Sequence, residues 1–224
     1  MKEKANPKIS ERKKRITKLD RELKKLYPTA KCALNYSNPW ELLVAVILSA
    51  QCTDKKVNEV TPTLFKKYPT FKDYLKANPR EFATAIHSTG FFNAKAKNIL
   101  GAAKKIQAEF GERVPKTMEE ILTVPGVARK TANVVLGNAY GVVEGIAVDT
   151  HVKRFARKFN LTDHTNPVKI ERDLMELLPR EEWFRFTYRV ITYSREICPA
   201  RPHDCAEHSL SKIYPPAAKN WPKP

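Results

Sequence analysis

The sequence predicts an all-α protein, and three observations support this fold class. Apolar residues recur at three- and four-residue intervals, and strand-like alternation does not persist beyond a few residues. Pro, Gly and Asn separate these segments by short connections. The 224 residues can bury a core in one large domain or two small ones without disulfide or metal staples. We therefore expect short helices in close succession, as in a compact bundle.

The first 25 residues form a strongly basic arm. Eleven Lys and Arg residues stand there against four acidic residues, so the arm carries +7 of the formal net charge of +17. Such a run is most often a solvated face, which is our first interpretation, and a DNA-contacting arm is the second. The overall charge predicts attraction to polyanions such as nucleic acid or acidic membrane surfaces.

The apolar segments are too short to cross a membrane. The longest, LLVAVILSA at residues 42–50, is far below the roughly 20 residues of a spanning helix, so it predicts a buried core helix. The N-terminus lacks the apolar stretch of a secretory signal. We therefore expect an intracellular protein, in the cytoplasm or nucleoid of a bacterium or archaeon, whose four cysteines are reduced thiols.

The central part of the sequence predicts helices with recognisable start signals. The motif NPWELLVAVILSAQ begins a helix at Pro39 with Asn38 as its N-cap, because the first helical position does not need the N–H that proline lacks. Thr53 caps the next helix, whose apolar residues follow helical spacing. Further helices are predicted at residues 71–76, 79–88, 94–110, 118–122 and 129–139.

The C-terminal part predicts three more helices and an irregular tail. The segment DTHVKRFARKFNL begins a helix at Asp149 that has apolar residues on one face and basic residues off it. Two further helices follow at 167–178 and 181–198. The proline-rich tail YPPAAKNWPKP predicts irregular structure.

The motif EEILTVPGVARKTANVVL places a tight Pro-Gly turn between two predicted helices. The amides of Gly126, Val127 and Ala128 then lie at a helix N-terminus, where N–H groups and the helix dipole favour a phosphate. Similar turns also serve as plain connectors. Lys130 lies one turn further on, where a lone lysine is usually a solvated charge.

Asp149 follows Lys130 by nineteen positions and comes directly after the apolar residues IAV. Its structural role is that of an N-cap for the next helix. A carboxylate held rigid in this way can also stabilise positive charge that develops on a sugar as its base departs.

Together these motifs resemble those of the helix-hairpin-helix DNA glycosylases of the HhH-GPD superfamily, and within it the endonuclease III-like glycosylase/AP lyases. The matching motifs, in the family's order, are ELLVAVILSAQCTD, LTVPGVARKTANVVL and IAVDTH. The similarity extends from about Tyr27 to Cys205. Three separate motifs in one order make a much more specific match than any one of them.

The resemblance implies the two-domain helix-hairpin-helix glycosylase fold. Residues 31–141 match the six-helix barrel domain, with the hairpin at about 113–139. Residues 1–30 and 142–224 match a second helical domain built from both termini, which contains a degenerate cluster loop at 198–214.

The resemblance also implies a base-excision DNA glycosylase for oxidised pyrimidines with abasic-site β-lyase activity. Lys130 matches the family's nucleophile and Asp149 its catalytic aspartate. The damaged base must leave the duplex before it can be reached. The amine then attacks the sugar and displaces the base, and the resulting Schiff base permits β-elimination of the 3′ phosphate. The hairpin residues assigned to DNA binding are Gly126, Val127, Ala128 and Arg129.

Two loop residues match those that the family inserts into the duplex. The amide of Gln51 can hydrogen-bond the orphaned base, and Phe91 aligns with an apolar wedge; their structural alternatives are a loop glutamine and a core phenylalanine. His151 is assigned to the same DNA site, next to the catalytic aspartate. Lys95 and Lys97 are candidate phosphate contacts.

The chain departs from the family at two places. Family hairpins usually have glycine where this chain has Ala128, whose methyl group is expected to weaken DNA binding at most. Most relatives hold a [4Fe–4S] cluster on cysteines spaced C-x6-C-x2-C-x5-C. Here Cys198 and Cys205 keep the first spacing, but His208 and Tyr214 take the last two positions.

The sequence therefore predicts no [4Fe–4S] cluster and no other cofactor, because tyrosine is a poor ligand for such a cluster. Packing of apolar residues would hold a metal-free loop. The alternative is a zinc site with an unusual spacing. Its ligands would be Cys198, His203, Cys205 and His208.

Two other functions remain as alternatives. The first is a mismatch-directed thymine, uracil or adenine glycosylase of the same fold, but these enzymes generally work without a lysine at the position of Lys130. The second is a non-catalytic DNA-binding protein, which the presence of both Lys130 and Asp149 argues against. We expect a monomer that binds double-stranded DNA containing damaged pyrimidines or abasic sites, with no membrane partner.

Overall fold

The computed structural model describes residues 7–221, and all regular secondary structure within this range is helical. The predicted fold class is therefore confirmed. The chain divides into two compact units. The first, Cys32–Glu144, is continuous, and the second joins the segment that ends at Lys31 to the segment that begins at Gly145. No helix within residues 7–221 is both long and apolar enough to pass through a membrane.

Helix α1 (Pro7–Leu26) opens the described chain. The helices of the continuous unit follow in sequence, and a short 3₁₀ turn at His87–Thr89 separates α5 from α6. They are α2 (Pro39–Leu48), α3 (Asp54–Lys67), α4 (Phe71–Lys76), α5 (Pro79–Ala85), α6 (Phe92–Phe110), α7 (Met118–Ile121) and α8 (Arg129–Tyr140).

The predicted start signals of the first two helices of this unit are confirmed. The Asn38 side chain accepts a hydrogen bond from the Glu41 amide, with proline at the first helical position. Thr53 accepts one from the Lys56 amide. Helix α2 is the core helix that its composition predicts, because every residue of 42–48 is buried. It packs against α8, whose Leu136 is fully buried, and this contact fixes the helix that carries Lys130.

The second unit continues after Gly145 with four helices. They are α9 (Thr150–Lys158), α10 (Pro167–Leu177), α11 (Trp183–Glu196) and α12 (Ser209–Ile213). The sequence predicts an irregular tail, but Pro215–Lys219 forms a 3₁₀ turn whose Ala217 is fully buried. Prolines at the start of this turn fit it, because their fixed φ is compatible with helical backbone.

The interpretation of the basic arm as a solvated charge run holds for one face of α1 and fails for the other, while residues 1–6 lie outside the described residues. Ile16, Leu19 and Leu23 are fully buried on one face of α1. Arg15 is also buried, and its guanidinium donates to the carbonyl oxygens of Phe159 and Asn160 at 3.2 and 2.9 Å. The high charge of the arm does not indicate its apolar face. The Arg15 cation is stabilised because it lies beside the carbonyl oxygens at the negative end of α9.

An acidic residue helps to hold α1, and this contact predicts a pH-dependent loss of stability. The Arg12 guanidinium donates to Asp163 at 2.7 Å, and the Lys8 ammonium lies 2.8 Å from the same carboxylate. These hydrogen bonds hold the pKa of Asp163 at about 2. The unfolded value is about 3.9, so the contribution is complete above about pH 4 and is lost as the pH falls through about 2.

We therefore expect Asp163→Asn to lower the free energy of unfolding at pH 7 by up to about 1 kcal/mol, because the carboxylate is solvent-exposed. The difference from the wild type should vanish near pH 2. Denaturant unfolding at pH 7 and near pH 2 measures this difference in the free energy of unfolding. Glu176→Gln, which neutralises an exposed carboxylate nearby, is the control. A difference that persists undiminished at pH 2 would contradict the role of this carboxylate.

Candidate functional site

The predicted hairpin is present as α7, a turn and α8. Thr117 caps α7 by accepting from the Glu120 amide at 3.3 Å. The turn requires glycine at position 126 for two reasons. Gly126 has φ +81, and a Cβ atom there would lie 2.8 Å from the Cβ of Asn98 in α6. Any larger residue would push the turn away from α6.

The hairpin amides differ in their availability to a phosphate. Gly126 and Ala128 are exposed, whereas Val127 is buried and its amide donates to the Val124 carbonyl at 3.1 Å. Ala128 is the N-cap of α8, and no side chain caps this helix. Its φ of −97 lies in a region open to any L-residue, so the methyl group does not strain the turn.

Lys130 lies in the first turn of α8 and is exposed. Its neighbour Arg129 is partly buried and donates to the Glu144 carbonyl at 3.4 Å. Ala132 and Val135 of the same helix are fully buried, so the lysine extends from a rigid support. An exposed amine on a fixed helix start is accessible to a large substrate.

Asp149 belongs to the other unit and is the N-cap of α9, as predicted. Its Oδ1 accepts from the Val152 amide at 2.9 Å. The residue is half-buried, and Val152 and Ala156 of α9 are fully buried. The cap therefore fixes the orientation of the carboxylate. His151 lies partly buried in the first turn of the same helix.

Gln51 and Phe91 both occupy loops in the continuous unit and both have left-handed backbone. Their φ values are +51 and +48. Gln51 is exposed in the loop after α2, and Phe91 is 65% exposed immediately before α6. The adjacent Phe92 is partly buried, with its ring centroid 4.5 Å from that of His87. Phe91 is therefore the member of the pair that is free to contact a partner.

One cavity of about 180 Å³ brings together several predicted residues of this unit. Gln51, Phe91 and Gly126 all line it, and so do Asn98 and Thr131. The loop glutamine, the exposed phenylalanine and the hairpin therefore share a single concave surface.

The two candidate phosphate contacts in α6 lie in different environments. Lys97 is exposed. Lys95 is only 4% exposed, and its Nζ donates to the carbonyl oxygens of Leu48 and Thr89, both at 2.7 Å. The expectation of a phosphate contact at Lys95 is therefore wrong. Sequence alone did not reveal this, because a lysine on an amphipathic helix is usually solvated.

The loop after α11 contains buried cysteines beside buried cations. The Arg154 guanidinium donates to the Cys198 carbonyl at 3.0 Å. Lys158 is 1% exposed, and its Nζ lies 3.9 Å from Cys205 Sγ and 3.5 Å from the centroid of the Trp221 ring. Neither Lys158 nor Trp221 was identified from the sequence as part of this loop.

The histidines of the loop have local structural partners. His208 is the N-cap of α12, where its Nδ1 accepts from the Leu210 amide at 3.2 Å, and burial lowers its pKa. His203 Nδ1 lies 2.9 Å from the Arg201 carbonyl, and its ring contacts Trp221. Within residues 7–221, no group of three or more His, Cys, Asp and Glu side chains is placed to hold a metal ion.

Comparisons with known proteins identify relatives along almost the whole chain. Residues 44–180 match the family model described as HhH-GPD superfamily base excision DNA repair protein. Endonuclease III of Synechocystis sp. is 51% identical over 210 residues, which cover 94% of this chain and 96% of the relative. Endonuclease III of Bacillus subtilis is 45% identical over 189 residues, covering 84% and 86%.

This chain is also similar in structure to solved DNA glycosylases. A trapped endonuclease III–DNA covalent intermediate superposes with a TM-score of 0.88 at 39% identity, covering 92% of this chain and 97% of that one. A thermostable thymine-DNA glycosylase gives a TM-score of 0.77 at 25% identity, covering 89% and 95%. Both similarities extend well beyond the hairpin.

Proposed function

This chain belongs to the HhH-GPD superfamily of base excision DNA repair proteins, and we propose that Lys130 and Asp149 carry out its chemistry. Its function is that of a base-excision DNA glycosylase and abasic-site lyase acting on oxidised pyrimidines, as in endonuclease III. The observation that carries the assignment of the nucleophile is an exposed lysine at the start of α8, directly after the hairpin.

Binding of the substrate begins with the phosphate backbone. Gly126 and Ala128 are exposed, and their amides can donate to a phosphate at the positive end of the α8 dipole. These contacts are independent of sequence and hold the duplex in register. The net charge of +17 favours the same encounter and makes it salt-sensitive.

Access to the lesion requires removal of a nucleotide from the base stack, at a cost of a few kcal/mol that is least for a damaged or weakened pair. The exposed Phe91 ring can insert between base steps, and the Gln51 amide can hydrogen-bond the base left behind. Damaged pyrimidines and abasic sites in double-stranded DNA are the proposed substrates, and we propose that an intracellular monomer acts on them.

Lys130 then supplies the nucleophile. Its neutral amine forms a bond to C1′ of the sugar, and the glycosidic bond breaks with its electron pair leaving on the base. The sugar ring opens to give a protonated Schiff base. A proton acceptor removes the C2′ proton, and the electron pair of the C2′–H bond moves into the iminium. The C3′–O bond then breaks and its electron pair leaves with the 3′ phosphate. Water hydrolyses the Schiff base and regenerates the lysine.

Asp149 supplies a fixed negative charge. Positive charge develops on the sugar as the base leaves, and a preorganised carboxylate stabilises it without reorganisation. The hydrogen bond from the Val152 amide holds the carboxylate in place.

Borohydride trapping tests this proposal directly. The assay uses duplexes that carry thymine glycol, an abasic site or no damage. We expect a covalent adduct with the first two and none with the third. An adduct with the abasic duplex alone would reduce the function to a lyase, and tight binding without any adduct would favour a non-catalytic DNA-binding protein.

We also propose that this chain works without the [4Fe–4S] cluster that most endonuclease III relatives carry. The residues at the third and fourth ligand positions do not fit the cluster. His208 Nδ1 accepts the α12 cap hydrogen bond, and the Tyr214 ring lies 4.1 Å from the Arg15 guanidinium carbon. The Lys158 side chain and the Trp221 ring also fill space beside Cys205 that the cluster would need.

Protein purified anaerobically from iron-supplemented cells should therefore contain less than about 0.1 iron per chain and lack absorption near 400 nm, because two cysteines cannot replace four thiolates. Metal analysis by mass spectrometry measures iron and zinc together. Treatment with a chelator should leave excision unchanged. A stoichiometric iron or zinc content would overturn the metal-free loop.

A further inference from the structure

Two loop residues of the continuous unit have backbone conformations that disfavour side chains. Gln51 and Phe91 have φ values of +51 and +48, a region that non-glycine residues rarely adopt. Strained conformations of this kind persist only where contacts with the surrounding structure hold them, and they cluster at functional sites.

A single buried ammonium group joins the two loops. Lys95 Nζ donates to the carbonyl oxygens of Leu48 and Thr89 at 2.7 Å each. Leu48 ends α2, three residues before Gln51, and Thr89 lies two residues before Phe91. Lys95 itself is on the rigid helix α6. One side chain therefore fixes the backbone at the entry to both loops.

Lys95 is buried in an environment that is unfavourable for a charge without hydrogen-bond partners. The side chain is 4% exposed, and burial lowers its pKa. An ammonium donating to carbonyl oxygens forms charge-assisted bonds that are shorter and stronger than neutral ones. The Leu48 carbonyl also lies at the negative end of the α2 dipole. A buried cation in this place couples two segments that are far apart in sequence.

We propose that Lys95 is a positioning residue that couples Gln51 and Phe91, so that both side chains enter the duplex as one preformed unit. This inference rests on the proposed roles of Gln51 and Phe91 in DNA. Both residues line the same cavity of about 180 Å³, which Lys95 also lines. Without the ammonium, each loop relaxes separately. The free energy needed to order both loops again then adds to the cost of opening a base pair in the duplex.

The test compares Lys95→Met with Lys104→Met, which removes one exposed cation from the same helix. Single-turnover excision is measured on thymine glycol in a fully paired duplex and in an unpaired bubble, where no stacked pair must be opened. We expect Lys95→Met to slow duplex excision about ten- to a hundred-fold and bubble excision less than threefold. Lys104→Met should change neither by more than about threefold.

A second arm asks whether Lys95 acts through the two loops. Adding Lys95→Met to the Gln51→Ala/Phe91→Ala variant should slow duplex excision less than threefold further, because no inserted side chain remains to be positioned. Equal losses on duplex and bubble, no loss on either, or a fully additive loss in this background would each overturn the proposal.

Other controls keep this proposal separate from the proposed function. If the wild type excises nothing from duplex or bubble, the proposed function fails, whereas an active wild type with an unchanged duplex-to-bubble ratio in Lys95→Met refutes only the coupling. Thermal unfolding checks that each variant folds. Should Lys95→Met not fold, Lys95→Gln takes its place, because its amide keeps two N–H donors, and an intermediate ratio is expected.

Discussion

Lys130→Ala is expected to abolish base excision and strand cleavage together, while the variant still binds a lesion duplex. The amine is the group that attacks C1′ and displaces the base in the proposed reaction, so its removal should lower the single-turnover rate by roughly 10³- to 10⁶-fold. The residue is exposed and contributes nothing to the buried face of α8, so the fold should be unaffected. Gel-based excision assays and fluorescence anisotropy measure the two properties.

Lys130→Arg separates the nucleophile from a phosphate contact. Arginine keeps the positive charge and hydrogen-bond donors but remains protonated in proteins, so it cannot attack C1′. We expect it to bind like the wild type and to form no adduct with borohydride. Lys104→Ala, which removes an exposed cation from α6, should retain full activity. Cleavage by Lys130→Arg at a rate near that of the wild type would exclude Lys130 as the nucleophile.

The helix caps show what local sequence can predict. Asn38, Thr53 and Asp149 each accept a backbone hydrogen bond at the helix start that their residue types and neighbours indicated. Caps depend on residues within one turn, so the necessary information lies in a few adjacent positions. The same is true of the hairpin turn, because the Pro-Gly pair predicts a tight turn and Gly126 there has φ +81.

The basic arm and the cation sites show where local reasoning fails. Arg15, Lys95 and Lys158 are all buried, although charged side chains of this kind are usually solvated. Their partners are distant in sequence: the carbonyls after α9 for Arg15, two loop carbonyls for Lys95, and Cys205 with Trp221 for Lys158. A pattern in sequence reveals the face of a helix but not which carbonyls or rings lie opposite it.

The loop at residues 198–214 could be predicted from the sequence only in part. The missing ligands could be read from Cys198, Cys205, His208 and Tyr214 alone. The residues that surround the cysteines could not be predicted in the same way. Lys158 in α9 and Trp221 in the tail lie beside Cys205, but they share no motif with the cysteines. The buried lysine and the aromatic ring together form a cation–π contact, which is stronger when it is desolvated.

Asp149→Asn is expected to slow base excision by several orders of magnitude without destabilising the protein. Asparagine is as good an N-cap as aspartate, so its side-chain oxygen can still accept from the Val152 amide. The substitution removes only the negative charge, and with it the stabilisation of positive charge on the sugar. Duplex binding should remain within a few fold of the wild type.

Asp149→Ala separates the charge from the cap. It should lose excision to a similar degree and also lower the free energy of unfolding by about 1 kcal/mol, because the Val152 amide loses its acceptor. Single-turnover excision of thymine glycol and denaturant unfolding are measured for both variants. On a preformed abasic site, Asp149→Asn should lose much less activity, since no glycosidic bond remains to be broken. If Asp149→Asn excises the base as fast as the wild type, the carboxylate acts only as a cap, and the catalytic role assigned to its charge is wrong. If Asp149→Asn instead unfolds as readily as Asp149→Ala, asparagine does not replace the cap, and the expectation that the substitution removes only the charge is wrong.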